Sequence, residues 1–370
     1  MFRLLRKILL RVLLSLVLLV LLAGLVLNVP FTFLANPAPE GDYSAWMGET
    51  LALDRLVIDV AMPGAHDAFS SDVGLFSRVD ALSASSIQTG FTGLLIKGFS
   101  AKQSRTQVST ATELLEAGIR YFDVRLTYNE KEAAWYTSHS YFSAEFAPIL
   151  AEIETFLADH PAEFVFLDIQ HVYGAEGRDD AFGEIRTLFA DSGLLDRAYP
   201  DDLESLADVT YGDVTEGKTK GGILIFTKLE NADPSFWSYG ASIRSAWANT
   251  DDPQTCFDFL AAEADLIRSG DALTGNQMTE NPEAADARGG LRVMQGVLTM
   301  QMNGSGILTA IGGWSLLNRA AAFNPELIAQ ADFADWLSAM PVVMVDYADS
   351  SHGDFLDFLM EILLQYNQQP

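Results

Sequence analysis

Residues 57–74 read VIDVAMPGAHDAFSSDVG, an apolar run broken at Pro63-Gly64 that delivers His66 and Asp67 side by side. Taken alone, such a pair after a turn is an ordinary loop feature. What gives it weight is repetition of the pattern along the chain. Strand-like runs lie at LVIDVA (56–61), RYFDVRL (120–126), AWYTS (134–138), FVFLDIQ (164–170), GILIFT (222–227), GVLTMQ (296–301) and VVMVDY (342–347). Between them TATELLEAG (110–118), FAPILAEIETFLADHP (146–161), FGEIRTLFA (182–190), TCFDFLAAEADLIRS (255–269) and PELIAQADFADWLSA (325–339) carry apolar residues at helical spacing. Strands alternating with helices predict an α/β fold with a mostly parallel sheet. At this size a closed, TIM-like (β/α) barrel is the commonest single-domain solution. A doubly wound open sheet is the alternative, but no glycine-rich phosphate loop follows the first strand.

The 370 residues can bury a sizeable core, although the 49% hydrophobic content is inflated by the first thirty-odd positions. Arg3, Arg6, Lys7 and Arg11 precede VLLSLVLLVLLAGLVL (12–27), and no charge occurs from Val12 through Pro39. Such a segment predicts a membrane anchor over residues 1–35, or a signal sequence if it is cleaved late, near Leu34 to Ala38. The basic cluster before it predicts a cytoplasmic N-terminus and a body on the periplasmic or extracellular face, or secreted after cleavage. Residues 36–49, with NPAPEGD, read as a linker, and residues 50–370 as one barrel domain. The net charge of −27 is more negative still once the basic N-terminal residues are set aside. A body so acidic excludes nucleic acid as a partner by electrostatics. Cys256 is the only cysteine, which excludes an internal disulfide or a cysteine-cluster metal site.

In a barrel, catalytic groups gather past the C-terminal ends of strands. The sequence places His66 and Asp67, Asp123 and Arg125, His139, Asp168 with Gln170 and His171, Lys228, and Asp346 at such positions. His160, in Asp-His-Pro, reads as a helix terminator, and His352 as a cap before a C-terminal helix. Two histidines, several carboxylates and one arginine suit phosphoryl transfer by a paired base and acid, with arginine holding the phosphate. Each imidazole needs a carboxylate to fix its tautomer, and Asp346 and Asp67 are available. A buried ionic network with no catalytic role is the bland alternative.

PGAHDA, EAGIRYFDVRL, His139 and FLADHPAEFVFLDIQHVY, in that order, resemble the X domain of phosphatidylinositol-specific phospholipases C. FNPELI and VVMVDYAD resemble the end of its bacterial form. The resemblance runs over roughly residues 50 to 350 and is densest from 57 to 173. It implies that His66 is the general base toward the inositol 2-hydroxyl, oriented by Asp346. His139 is then the general acid toward the diacylglycerol oxygen, supported by Asp67, while Arg125 neutralises the phosphate and Asp123 helps position it. Asp168, His171 and Lys228 fall to supporting or substrate-binding roles. The implied products are diacylglycerol and a cyclic inositol phosphate. Calcium-dependent members of the family carry an acidic residue where DVR has Arg125, so the resemblance implies an enzyme that needs no metal or other cofactor. His139-Ser140 departs from the usual histidine-glycine, and Gln170-His171 replaces a lysine of many bacterial members, which leaves the head group open. A glycerophosphodiester phosphodiesterase shares the barrel, but its His-Arg-Gly opening and Glu-x-Asp metal pair are missing. A membrane-tethered, non-catalytic phospholipid-binding module is the remaining alternative.

Overall fold

Gly222–Thr227 is buried along its whole length, as a continuous apolar run must be when both faces of a parallel strand are covered. The computed structural model describes residues 2–27, 41–86, 88–201, 205–270, 289–301, 315–349 and 354–369. Its strands are β1 (Met62–Ala65), β2 (Tyr121–Asn129), β3 (Ala134–Ser138), β4 (Phe142–Glu145), β5 (Phe164–Tyr173), β6 (Gly222–Thr227), β7 (Phe236–Ser238), β8 (Ile243–Arg244), β9 (Leu291–Gly296) and β10 (Val342–Val345). They form one sheet in the order β7-β6-β5-β2-β1-β10-β9-β8, parallel throughout, with β3 and β4 as an antiparallel hairpin off β2. Helices pack outside. In Phe146–Asp159 the apolar positions Ile149, Leu150, Ile153, Phe156 and Leu157 fall on one buried face.

Several expectations need correction. The barrel does not close: among the described residues no ladder joins β7 to β8, and the short helix Tyr239–Ser242 bridges those two edges. The first strand is not LVIDVA. Val57–Asp59 is a 3-10 turn, and the strand is Met62-Pro63-Gly64-Ala65 itself. Pro63 brings no N–H to this strand, and its carbonyl accepts from Arg120 N at 3.2 Å. At Gly64 a Cβ would come within 3.0 Å of the Tyr121 ring, which would have to give by a few tenths of an ångström. The strand expected at 296–301 lies earlier, at Leu291–Gly296, and the helix expected over 325–339 is two, Leu316–Ile328 and Phe333–Ala339. Trp46 and Met47, which fall in the expected linker, are buried in the core.

The anchor is also overturned. Among the described residues no helix is long and apolar enough to cross a membrane. Phe2–Leu27 is helical, but Arg3, Arg6, Lys7 and Arg11 occupy its first turns. The uncharged remainder, Val12–Leu27, is shorter than the roughly 20 residues a bilayer core demands. The placement of the body across or beyond a membrane, which rested on that anchor, falls with it. His352 lies outside the described residues.

Candidate active site

The polar strand ends converge at the C-terminal mouth of the sheet. β1 lies between β2 and β10, so His66 and Asp67 emerge beside Asp123 and Arg125 on one side and Asp346 on the other. Gln107 ties this corner together: its side-chain amide Nε2 donates to the carbonyls of His66 and Val345, both at 3.1 Å. Thr106 Oγ1 donates to the Asp67 carbonyl at 2.8 Å. These bonds hold Asp67 at φ 41, a left-handed conformation that a side chain rarely takes.

His66 Nδ1 meets Asp346 Oδ1 at 2.7 Å. Its Nε2 faces Arg125 Nη2 at 3.2 Å. A guanidinium can only donate, so this contact forms with the neutral imidazole, its proton on Nδ1, which is the form a base needs, while the carboxylates around the ring favour the charged form. His139 Nδ1 donates to the Ser104 carbonyl at 2.9 Å and stands 3.1 Å from Asp67 Oδ2. Both rings therefore carry Nδ1–H and leave Nε2 for proton transfer. Their centroids are 6.5 Å apart. Arg125 lies between the acids: Nε contacts Asp67 Oδ1, and Nη2 is 3.5 Å from Asp123 Oδ2. Asp67 is held by these charges at ion-pair distance without well-aligned hydrogen bonds.

Burial opposes the charged form of His66, but Asp67 and Asp346 outweigh it and raise its pKa to about 9. Burial likewise opposes ionisation of Asp67, yet Arg125, His139 and His66 hold it down at about 2. His139 is lowered from 6.5 by burial, with Arg125 and His66 adding to that effect against Asp67. Burial, Arg125 and Lys228 push His171 down to about 4.

Donor atoms of His66, Asp67 and Asp123 lie within 4.8 Å of one another, the one cluster among the described residues that could hold a metal. Calcium asks for six to eight oxygens. Here the lone pairs of all three residues already face the Arg125 guanidinium. The residues present do not fit calcium.

The other expected residues sit around this centre. A bulge in β5 skips Gln170 and sets His171 opposite Arg125, where it stacks on Tyr173 at 5.7 Å between ring centroids. Lys228 Nζ lies 4.4 Å from the centre of the Tyr239 ring and lines a cleft of about 950 Å³ with Thr227, Asn231 and Asp233. His160 ends its helix, stacked on Phe156 at 4.3 Å. Asp168 is buried under the site and accepts from Tyr121 Oη at 2.6 Å. Sequence reading missed Gln107, Tyr173, which bonds Arg125, and the Ser104 carbonyl. Only Tyr173 carried a signal, as a polar group just past His171.

Burial, with Asp123 adding to it, raises Asp168 from 3.8 to about 8. The folded state thus holds a proton that the unfolded chain releases, so Asp168 costs stability increasingly as pH rises from about 4 to 8. Asp168→Asn is expected to raise Tm at pH 8 and to match the parent below pH 4, as read by thermal melts. An equal shift at both pH values would refute the ionisation account.

The curled parallel sheet with paired histidines at its mouth is the architecture of a phospholipase C-like fold. Relatives in sequence and in structure point the same way. No family model matches. The chain is 30% identical over 264 residues to PI-PLC X domain-containing protein 3 of Danio rerio, covering 69% of this chain and 77% of the relative. It therefore belongs to the PI-PLC X domain-containing proteins. It is 30% identical over 169 residues to a variant-surface-glycoprotein phospholipase C of Trypanosoma cruzi, covering 43% of this chain and 44% of that protein. Among solved structures, the phosphatidylinositol-specific phospholipase C of Listeria monocytogenes superposes with a TM-score of 0.54 at 18% identity, over 89% of this chain and 100% of the other, which is a likeness of fold.

Proposed function

We propose that the protein cleaves phosphatidylinositol-like lipids by internal transfer, with no metal taking part. The observation that carries the reading is that both imidazoles have Nδ1 tied and flank one guanidinium. His66 Nε2 takes the proton of the inositol 2-hydroxyl as that oxygen bonds to phosphorus. Asp346 stabilises the imidazolium formed. The bond from phosphorus to the diacylglycerol oxygen breaks, and His139, entering as the imidazolium with its second proton on Nε2, gives that proton to the departing oxygen. Arg125, kept charged by Asp67 and Asp123 against the cost of burial, meets the charge that builds on the phosphoryl oxygens. The names of the relatives, which include phospholipases C from trypanosome and bacterium, support this chemistry class.

Phosphorus NMR of phosphatidylinositol micelles in excess chelator tests it. A cyclic inositol phosphate signal is expected from the parent and none from His66→Ala or His139→Ala. Activity that appears only when calcium is restored would sink the metal-free mechanism.

A further inference from the structure

The turn that carries His139 is held in a conformation its own residues disfavour. Ser140 sits at φ 63, a left-handed position that residues with a Cβ disfavour and glycine adopts freely. Something must hold it. Asp80, 1% exposed, lies beside the turn although it is far away in sequence. Its Oδ2 accepts from Ser138 Oγ at 2.7 Å and from Ser83 Oγ at 2.8 Å. Ser83 Oγ in turn accepts from Ser140 N at 3.1 Å, and Asp80 N donates to the Ser140 carbonyl at 3.0 Å. Arg78 and Val79 extend the pairing, with Phe142 N donating to the Arg78 carbonyl at 3.0 Å and a bridge from Val79 to Tyr141. The residues before and after His139 are therefore both tied, directly or through Ser83, to a single buried carboxylate.

We infer that Asp80 is a positioning residue for His139, locking the Ser138–Ser140 turn so that Nδ1 reaches the Ser104 carbonyl and Nε2 faces the leaving oxygen. This rests on His139 being the general acid. An acid that is displaced matters when the departing group is a poor one and matters little when it is a good one. The consequence is a dependence on the leaving group that a general loss of folding would not produce.

Two substrates separate the cases: phosphatidylinositol in detergent micelles, and an inositol nitrophenyl phosphodiester whose leaving group needs no proton. Asp80→Asn is expected to lower kcat on the lipid by about 10²-fold with KM nearly unchanged, and to lower it little on the aryl ester. Ser83→Ala, the milder change, should show the same pattern. Adding Ser140→Gly to Asp80→Asn should recover most of the loss, because glycine adopts this turn without being held. Equal losses on both substrates, or no recovery by glycine, would overturn the assignment. Nitrogen-15 NMR of the imidazoles asks the same question without turnover: a single Nδ1–H tautomer for His139 in the parent and a mixture in Asp80→Asn. Identical spectra would refute the positioning role. A parent inert on both substrates but with the expected spectra would overturn the phosphodiesterase reading while leaving the positioning intact.

Discussion

Arg125→Ala is expected to slow the transfer by roughly 10³-fold or more, the scale of losing one positioned cation at a phosphoryl centre. Two effects act together. The charge opposite the phosphoryl oxygens is removed, and His66 loses a neighbour that works against its protonation. The base is then held more firmly in its charged, inactive form. Arg125→Lys should recover little. A single ammonium cannot reach Asp67 through one nitrogen while presenting another to His66 and Asp123. Because Lys keeps the charge, it separates geometry from the cost of leaving two buried carboxylates unpaired, which Ala incurs as well. The measurement is kcat by phosphorus NMR in chelator, with melts to confirm folding. Near-parental activity of the Ala variant, with or without calcium, would show that the guanidinium is not the phosphate's counter-charge.

The central site was readable because it is local. His66-Asp67 follows β1 directly and Asp123-x-Arg125 lies within β2, which runs on to Asn129, so two short stretches on neighbouring strands bring four groups to one mouth. Asp346 follows for the same reason, once β10 is recognised beside β1. What stayed hidden was carried by backbone or by distance. The Ser104 carbonyl has no residue signature, and Gln107 and Asp80 act on groups to which no motif connects them. The misplacement of β1 has a different cause. LVIDVA is apolar and buried, but Val57 N bonds the Val209 carbonyl outside the sheet, and the parallel ladder begins only where β10 is opposite, at Met62. Apolar runs report burial, whereas strand identity depends on the partner. The open edge between β7 and β8 was hidden likewise, since closure is decided by pairing. For the N-terminal segment, absence of charge over a long stretch suggested a span, but the helix spends its first turns on four basic residues.

Asp346→Asn is the companion test on the side of the base, with kcat expected to fall by about 10² to 10⁴-fold. The side-chain amide can still meet His66 Nδ1, so what is lost is mainly the negative charge that steadies the imidazolium during transfer. That charge is among the causes raising His66 from 6.5 to about 9, and the sign of the change follows. Without it the charged form is less favoured, and the pKa falls toward the ordinary value. Because the base carries the higher pKa and the acid the lower, the form that turns over has His66 neutral and His139 charged, and the kcat/KM profile of the parent should be a bell with its alkaline limb near 9, set by His66, and its acid limb below 6.5, set by His139. In Asp346→Asn the alkaline limb moves down and the acid limb stays. The larger neutral fraction of His66 near pH 7 then offsets part of the loss. Stability reports the same linkage independently. A histidine whose folded pKa is raised adds stability below 6.5 that is lost as pH rises through 9, so the substitution should lower Tm at pH 6 more than at pH 10. An unmoved alkaline limb together with a pH-independent change in Tm would place His66 outside the control of Asp346. The base would then have to be sought elsewhere in the site.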